Sequence, residues 1–369
     1  MAIQTKYFLL ALAATRQAIS HTGFAELFVN GVGQGDGTCV RMKNDPGTVT
    51  SPIAGIGSND MACNANGATG VARVCQVPDG ATLSFEFRSW MDDYTRGVID
   101  PGHKGPCAVY LKKVDSAIDD KGAGDGWFKI AADGYDEGAG KWCTDKVIEK
   151  GHLDVALPQG LEGGYYLVRP ELLALHFAHR GEPQFYTGCA QIFLKSSGNK
   201  KPKSTVSIPG YVQSGDKSLT FDIYDSPLKL PYSLPGPDVA SFTGSSKREV
   251  GTIDRRAVQK TQTEGLKPEG CILENANWCG VEVPSYSDEK SCWSSSKECW
   301  AQSKKCFDSA PPTGSANCKI WEKKCEAINS ACNSRNFDGP PNKDKVLTPV
   351  ARRVKANGVR AASPLRLTV

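Results

Sequence analysis

The stretch Leu83-Ser84-Phe85-Glu86-Phe87-Arg88 alternates apolar side chains with polar or charged ones. Successive side chains of a β-strand point to opposite faces, so this alternation predicts a strand with one apolar face. Other β-rich runs occur at 108–114, 165–169 and 190–194, and turn clusters occur at 30–31, 36–37, 78–80 and 122–126. Short strands with long connections predict an antiparallel β-sandwich of immunoglobulin or fibronectin type over residues 21–197, which the last run closes.

Residues 1–20 have the features of a secretory signal peptide. Lys6 precedes an apolar run over 7–14 that is too short to cross a membrane, and small residues at Ala18 and Ser20 suit a signal peptidase. Cleavage after Ser20 would make His21 the first residue of a secreted, extracellular protein. An N-terminal histidine offers a metal its ring and its α-amine, whose ordinary pKa is roughly 7.7. The alternative is that a histidine merely follows the cleavage site.

The net charge of +4 is unevenly distributed along the chain. Residues 21–197 hold 16 Lys and Arg against 22 Asp and Glu, whereas residues 340–369 hold seven basic residues against Asp344 alone. Because the basic residues are not interleaved with aromatic ones, the pattern does not indicate nucleic-acid binding. No stretch after residue 20 is apolar enough for a transmembrane helix, so we expect no membrane partner, and we also expect a monomer.

All 14 cysteines lie within two parts of the chain, six in 21–197 and eight in 271–338. An even number of cysteines behind a signal peptide indicates disulfides formed in an oxidising compartment. The first group consists of Cys39, Cys63, Cys75, Cys107, Cys143 and Cys189. The sequence alone allows several disulfide pairings of these six cysteines.

The second group lies in what we call the cysteine-rich module, residues 271–338. Two triplets repeat every seven residues, which places each triplet along one face of a helix, and a Pro-Pro-Thr-Gly breaker at 311–314 separates them. The prediction is a helical hairpin with the disulfides Cys292–Cys332, Cys299–Cys325 and Cys306–Cys318, and a small loop closed by Cys271–Cys279. Trp293, Trp300 and Trp321 would form a glycan-binding platform or, alternatively, cover a thin core.

In the remaining segments, apolar residues do not recur at a regular spacing. Residues 198–270 are rich in proline and charged residues, which predicts an extended linker with local docking near 221–230. Residues 339–369 predict a disordered basic tail.

The five histidines are His21, His103, His152, His176 and His179. His103 lies in a loop with glycine and proline before a predicted strand, so it is either presented for a function or a surface histidine. His176 lies in an apolar run, and Gln184 and Tyr186 would share one face of a strand. A core histidine and a core tyrosine are the alternative interpretation.

In order and spacing, these motifs resemble those of the fungal lytic polysaccharide monooxygenases of auxiliary-activity family nine, formerly glycoside hydrolase family sixty-one. The resemblance covers about residues 21–197, and the cysteine-rich module looks like an extension that some members carry. The matching motifs are His21 after the leader, Asp60-Met61-Ala62-Cys63-Asn64, His103-Lys104-Gly105-Pro106, the run 163–171, Leu175-His176, and Gln184-Phe185-Tyr186 before Cys189.

The resemblance implies one copper ion per chain. His21 would bind it through its α-amine and ring, His103 through its ring, and Tyr186 axially through its hydroxyl. Three nitrogens in a plane suit Cu(II). His176 and Gln184 would act as catalytic groups that hydrogen-bond oxygen held beside the metal. His152 and His179 match no functional position.

The resemblance also implies the disulfide Cys63–Cys189, which leaves Cys39–Cys75 and Cys107–Cys143. It implies a reaction in which an external electron donor reduces Cu(II) to Cu(I). Hydrogen peroxide or dioxygen then serves to remove hydrogen from C1 or C4 of cellulose or a related β-glucan. Two alternatives use the same fold: a non-catalytic secreted copper-binding protein, and a glycan-binding protein with no redox role.

Overall fold

The computed structural model describes residues 21–244, 260–343 and 345–355, so the proposed signal peptide lies outside the described residues. The strands are β1 (Gly23–Val29), β2 (Val32–Gly33), β3 (Val40–Arg41), β4 (Cys75–Pro78), β5 (Thr82–Arg88), β6 (Cys107–Val114), β7 (Gly124–Asp133), β8 (Tyr135–Asp136), β9 (Lys141–Trp142), β10 (Leu153–Ala156), β11 (Gly164–Ala174), β12 (Gln184–Thr187), β13 (Cys189–Lys195), β14 (Lys201–Pro202), β15 (Val206–Ile208), β16 (Phe242–Thr243), β17 (Cys271–Asn275) and β18 (Trp278–Val281). The helices are α1 (Asp60–Cys63), α2 (Cys143–Lys150), α3 (Glu289–Asp308) and α4 (Ala316–Asn333), with 3-10 turns at Tyr94–Arg96 and Ala178–Arg180.

Two sheets form the predicted β-sandwich, which the structure confirms. The smaller sheet has the order β10-β5-β1-β2, and the larger follows β15-β7-β6-β11-β13-β3 with β12 added to β11 and β4 to β13. These pairings are antiparallel except for β4 on β13. The predicted turn at Asn30-Gly31 joins β1 to β2, and both residues have a positive φ, as a tight hairpin requires.

The core between the sheets includes Leu27, Phe85, Val109 and Val168, all fully buried. The alternating stretch 83–88 is β5, as predicted, but its polar residues are buried as well as its apolar ones. Glu86 and Arg88 are covered by a segment from the far end of the chain, residues 345–355, whose Arg352 donates to Glu86 at 2.8 Å.

The described part of 198–270 differs from the predicted linker because much of it packs on the sandwich. β15 adds to the edge of the larger sheet, so the run at 190–194 does not close the domain. Ile208, Val212 and Leu219 are buried with the outer face of that sheet. These apolar residues are scattered without a regular spacing, which is why the sequence pattern did not reveal a packed segment.

All seven predicted disulfides are confirmed, including the pairings inferred from the family. In the cysteine-rich module, α3 and α4 pack as the predicted hairpin with three disulfides along their seam. A short hairpin of β17 and β18 lies beside them.

Trp321 does not join a surface platform, because it is fully buried in the module and donates from Nε1 to the Cys299 carbonyl at 3.1 Å. The predicted disordered tail, 339–369, is described at 339–343 and 345–355, and the second of these ranges is ordered by contacts with both units rather than disordered. Leu347 donates to the Ile272 carbonyl at 2.7 Å, and Val354 donates to the Gly31 carbonyl at 2.9 Å. Among the described helices, none has both the length and the apolar character needed to cross a membrane.

Candidate functional site

Four segments that are far apart in sequence deliver the predicted site residues to one place. His21 lies two residues before β1, and His103 lies in the loop that leads into β6. His176 follows β11, and β12 carries Gln184 and Tyr186. β11 and β12 are neighbours in one sheet, with Leu172 opposite Tyr186, so the last three residues meet at one edge of the sandwich.

The rings of His21, His103 and Tyr186 form a triangle. Each pair of ring centroids is 6.0 Å apart. The His176 ring lies 4.2 Å from the His103 ring. The five residues that the sequence singled out for this site therefore occupy one cluster.

Tyr186 is held by a direct hydrogen bond, since its hydroxyl donates to Gln184 Oε1 at 2.7 Å. The two side chains share a face of β12, as the alternation predicted. The disulfide Cys63–Cys189 fixes the start of β13, two residues after β12 ends, and joins it to α1. The tyrosine is therefore placed by a paired strand and a nearby cross-link.

Burial keeps the three imidazoles neutral. It lowers the pKa of His103 to about 4, with the nearby His176 adding to the effect. It also lowers the pKa of His21 and of His176. Burial raises the pKa of the Tyr186 phenol well above its ordinary value. A neutral imidazole is the form that binds a metal.

Both ring nitrogens of His103 and Nδ1 of His176 are buried with no hydrogen-bond partner among the described residues. Buried polar atoms are nearly always partnered, so such atoms call for an explanation, and an ion is one. Within the described residues, no group of three or more His, Cys, Asp and Glu side chains could hold a metal. A site of two histidines and an α-amine would not contain such a group.

Comparison with known proteins identifies the family. The model of Auxiliary Activity family 9 (formerly GH61) matches residues 21–232, more than half of the chain. The chain belongs to this family. Its match extends beyond residue 197, in agreement with the packing of β15 and the following segment on the sandwich.

Relatives within Auxiliary Activity family 9 match nearly the whole chain. AA9 family lytic polysaccharide monooxygenase C of Aspergillus tamarii is 53% identical over 342 residues, which cover 91% of this chain and 91% of that protein. Monooxygenase H of Botryotinia fuckeliana is 49% identical over 345 residues, covering 90% and 78%. Both matches must reach into the cysteine-rich module, because residues 1–270 are too few to supply them. These relatives identify a polysaccharide monooxygenase.

A solved structure, CvAA9A, agrees in fold. It superposes with a TM-score of 0.54 and 31% identity over 59% of this chain and 97% of that one.

The structure adds two residues at the site of this family-nine chain and a third beside His179. Asp100 Oδ1 lies 3.8 Å from His103 Nδ1, and the Phe177 ring lies 4.2 Å from the His176 ring. Tyr224, which is 64% exposed, approaches His179 with ring centroids 5.7 Å apart. Asp100 and Phe177 lie close in sequence to His103 and His176, so their proximity to these histidines could have predicted that they flank the site. Tyr224 lies in the predicted linker, within the part near 221–230 where local docking is predicted and where Phe221 and Ile223 pack against the sandwich.

The two histidines predicted to have no functional position lie outside the triangle. His152 is buried, and its Nδ1 lies 2.8 Å from Asp154 Oδ1, which suits a structural role. His179 is exposed on a 3-10 turn.

Proposed function

We propose that the mature chain begins at His21 and is a secreted, copper-dependent enzyme that cleaves cellulose or a related β-1,4-glucan by oxidation. The observation that carries this proposal is the triangle of His21, His103 and Tyr186, with centroids 6.0 Å apart. Release of a signal peptide would add the α-amine of His21 to this cluster.

The donor set fits copper. His103 supplies a neutral ring with two unpartnered nitrogens, and His21 would supply a ring nitrogen and an amine. Such a set of nitrogens favours Cu(II), and Tyr186, whose ring lies beside both histidines, would supply its hydroxyl as a further ligand. Bound copper would supply the redox chemistry that lets an external electron donor and dioxygen or hydrogen peroxide remove hydrogen from C1 or C4 of the glucan.

The side chains of the protein position and tune this chemistry. Gln184 accepts the Tyr186 proton in a hydrogen bond and so holds the hydroxyl in one direction, while burial keeps the phenol protonated. His176 lies against His103 and keeps a nitrogen free, so it can donate or accept a hydrogen bond beside the metal ligands. Phe177 packs on His176 and limits the motion of that ring.

An exposed aromatic surface next to the histidines supports a polymeric substrate. Phe177 is 37% exposed and Tyr224 is 64% exposed. The ring of Tyr224 contacts His179, which lies in the turn that follows His176. Sugar rings stack on exposed aromatic rings through their C–H faces. A chain lying across this surface would bring a glycosidic bond to the site without a deep pocket.

The test is product analysis on cellulose with a reductant and hydrogen peroxide. We expect oligosaccharides oxidised at C1 or C4, detected by mass spectrometry, and their complete loss in His103→Ala. His152→Gln is the matched control, because this histidine lies outside the triangle. Oxidised products from His103→Ala would contradict the proposal. One bound copper without oxidised products would favour the non-catalytic copper-binding alternative.

A further inference from the structure

Three aromatic residues form a stripe along α3, and we call Trp293, Trp300 and Phe307 the aromatic stripe. Trp293 is 40% exposed, Phe307 is 37% exposed, and Trp300 is partly buried against the module core. Each follows one of the seam cysteines, so the stripe repeats every seven residues. Seven residues of α-helix rise about 10.5 Å and nearly complete two turns, so the three rings share one side of the helix.

Trp293 and Phe307 are not needed to fill the core of the module, whereas Trp300 packs against it. The cysteines of α3 and the fully buried Trp321 occupy the seam with α4. Contiguous exposed apolar patches mark interaction surfaces, and three aromatic side chains in line on one helix face supply the elements of such a patch. In the described chain, Trp293 and Phe307 are among the most exposed large hydrophobic residues of the module.

We propose that the aromatic stripe binds an extended β-1,4-glucan chain, with one aromatic ring for each two-sugar repeat. In such a chain successive sugars are flipped, so the same ring face recurs every second sugar. The length of that repeat is close to the seven-residue step of the helix. The choice of glucan rests on the proposed function, whereas the spacing of the stripe does not depend on it.

The charge of α3 suits an uncharged polymer. Its four lysines face three acidic residues, Glu289, Glu298 and Asp308, and all seven are exposed. Lys304 and Asp308 pair at 2.6 Å. The helix therefore carries little net charge, which favours a neutral glycan over a polyanion such as nucleic acid.

The turn after α3 contacts the sandwich domain. α3 ends at Asp308, and a β-carbon placed on Gly314, in that turn, would lie 3.8 Å from Asp92 Cβ. The module that carries the stripe is therefore packed against the domain that carries the proposed active site.

The experiment measures depletion of the full-length, copper-loaded protein by microcrystalline cellulose, without reductant so that no turnover occurs. We expect Trp293→Ala/Phe307→Ala to bind about tenfold more weakly, since loss of exposed aromatic anchors commonly has this effect. The control Lys297→Ala/Glu298→Ala changes two exposed residues of the same helix and should bind like the parent. Trp300 is left in place because it packs on the core.

Three further measurements make the result decisive. Trp293→Tyr/Phe307→Tyr keeps the rings and should restore binding even if the alanine variant is poorly folded. Granular starch, an α-linked glucan without the straight repeat, should show no dependence on the stripe. His103→Ala should still bind through the stripe, so loss of the copper chemistry and loss of this surface are distinguishable. Unchanged binding of the alanine variant, or equal losses on cellulose and starch, would overturn the proposal.

Discussion

The sandwich and the cysteine-rich module reach stability by different routes. The sandwich buries large apolar residues between two sheets and on the outer face of the larger one, and three disulfides add to this core. The core of the module has ten buried residues, four of which are cysteines. A small unit cannot bury enough apolar surface to offset its loss of conformational entropy, so covalent cross-links take over.

This difference has a functional counterpart. In the sandwich, the pairing of β11 with β12 and the disulfide Cys63–Cys189 hold Gln184 and Tyr186 beside the histidines of the proposed site. In the module, the disulfides join α3 and α4 along their shared seam. The side of α3 that faces away from α4 is therefore free to bind a ligand. Rigid cross-linked helices suit a surface whose binding depends on the spacing of its rings.

The largest effect should come from removing the middle cross-link of the module. Cys299→Ala/Cys325→Ala should lower the free energy of unfolding of the module by roughly 3 kcal/mol, the usual contribution of a disulfide that closes a loop of this size. With so small an apolar core, the module should become protease-sensitive while the sandwich stays resistant. Limited proteolysis with mass mapping of the fragments checks this.

The matched variant is Cys39→Ala/Cys75→Ala, which removes a cross-link of similar loop length from the sandwich. The apolar core should hold that unit folded at room temperature, with a lower melting temperature. If both variants lost structure equally, the contrast between the two routes to stability would be wrong.

A smaller effect should come from Arg352, which connects residues 345–355 to the sandwich. Its guanidinium contacts the buried carboxylates Glu26 and Glu86, the latter at 2.8 Å, and lies 4.1 Å from the centroid of the Tyr94 ring. Arg352→Ala should weaken the attachment of this segment by roughly 2 kcal/mol, as for a charged hydrogen-bonding group. Hydrogen exchange should then rise in residues 345–355 and in β2. Arg353→Ala, the adjacent basic residue, is the control and should leave exchange unchanged.

The most gradual effect concerns pH, because it is spread over a range of pH rather than caused by one substitution. Glu26, Asp36 and Glu86 face two guanidiniums, those of Arg88 and Arg352, so one carboxylate is in excess. Burial raises the pKa of Glu26, the least exposed of the three, from 4.5 to about 7, and Arg352 opposes part of that rise. Between these values the folded chain binds more protons than the unfolded one. Stability should therefore fall as pH rises from 4.5 to 7, by at most about 1.4 kcal/mol per pH unit.

Thermal unfolding across this range, compared with Glu26→Gln, measures that contribution. The amide keeps the shape of the side chain and cannot ionise, so its stability curve should lack this downward slope. A variant whose pH dependence matched that of the parent would show that Glu26 is not the group responsible.

Local pattern was enough to predict the disulfide ladder, whereas the site residues were predicted from the resemblance to auxiliary-activity family nine. The seven-residue step of the cysteines leaves few ways to cross-link two helices, and the order of the motifs around His21, His103 and Tyr186 is specific. Two features depended on tertiary packing instead. Tyr224 lies in a segment that is held by scattered apolar residues, and the contact of Arg352 with Glu26 joins residues 326 positions apart. The spacing of neighbouring residues in the sequence cannot predict a contact between residues so far apart.

The central claim is that His21 becomes the first residue and, with His103, holds one copper ion. Native mass spectrometry of the secreted protein, before and after copper loading, reports the first residue and the metal stoichiometry together. The account predicts a chain that starts at His21 and carries one copper. A chain that starts at any other residue, or one that binds no copper after loading, would contradict it.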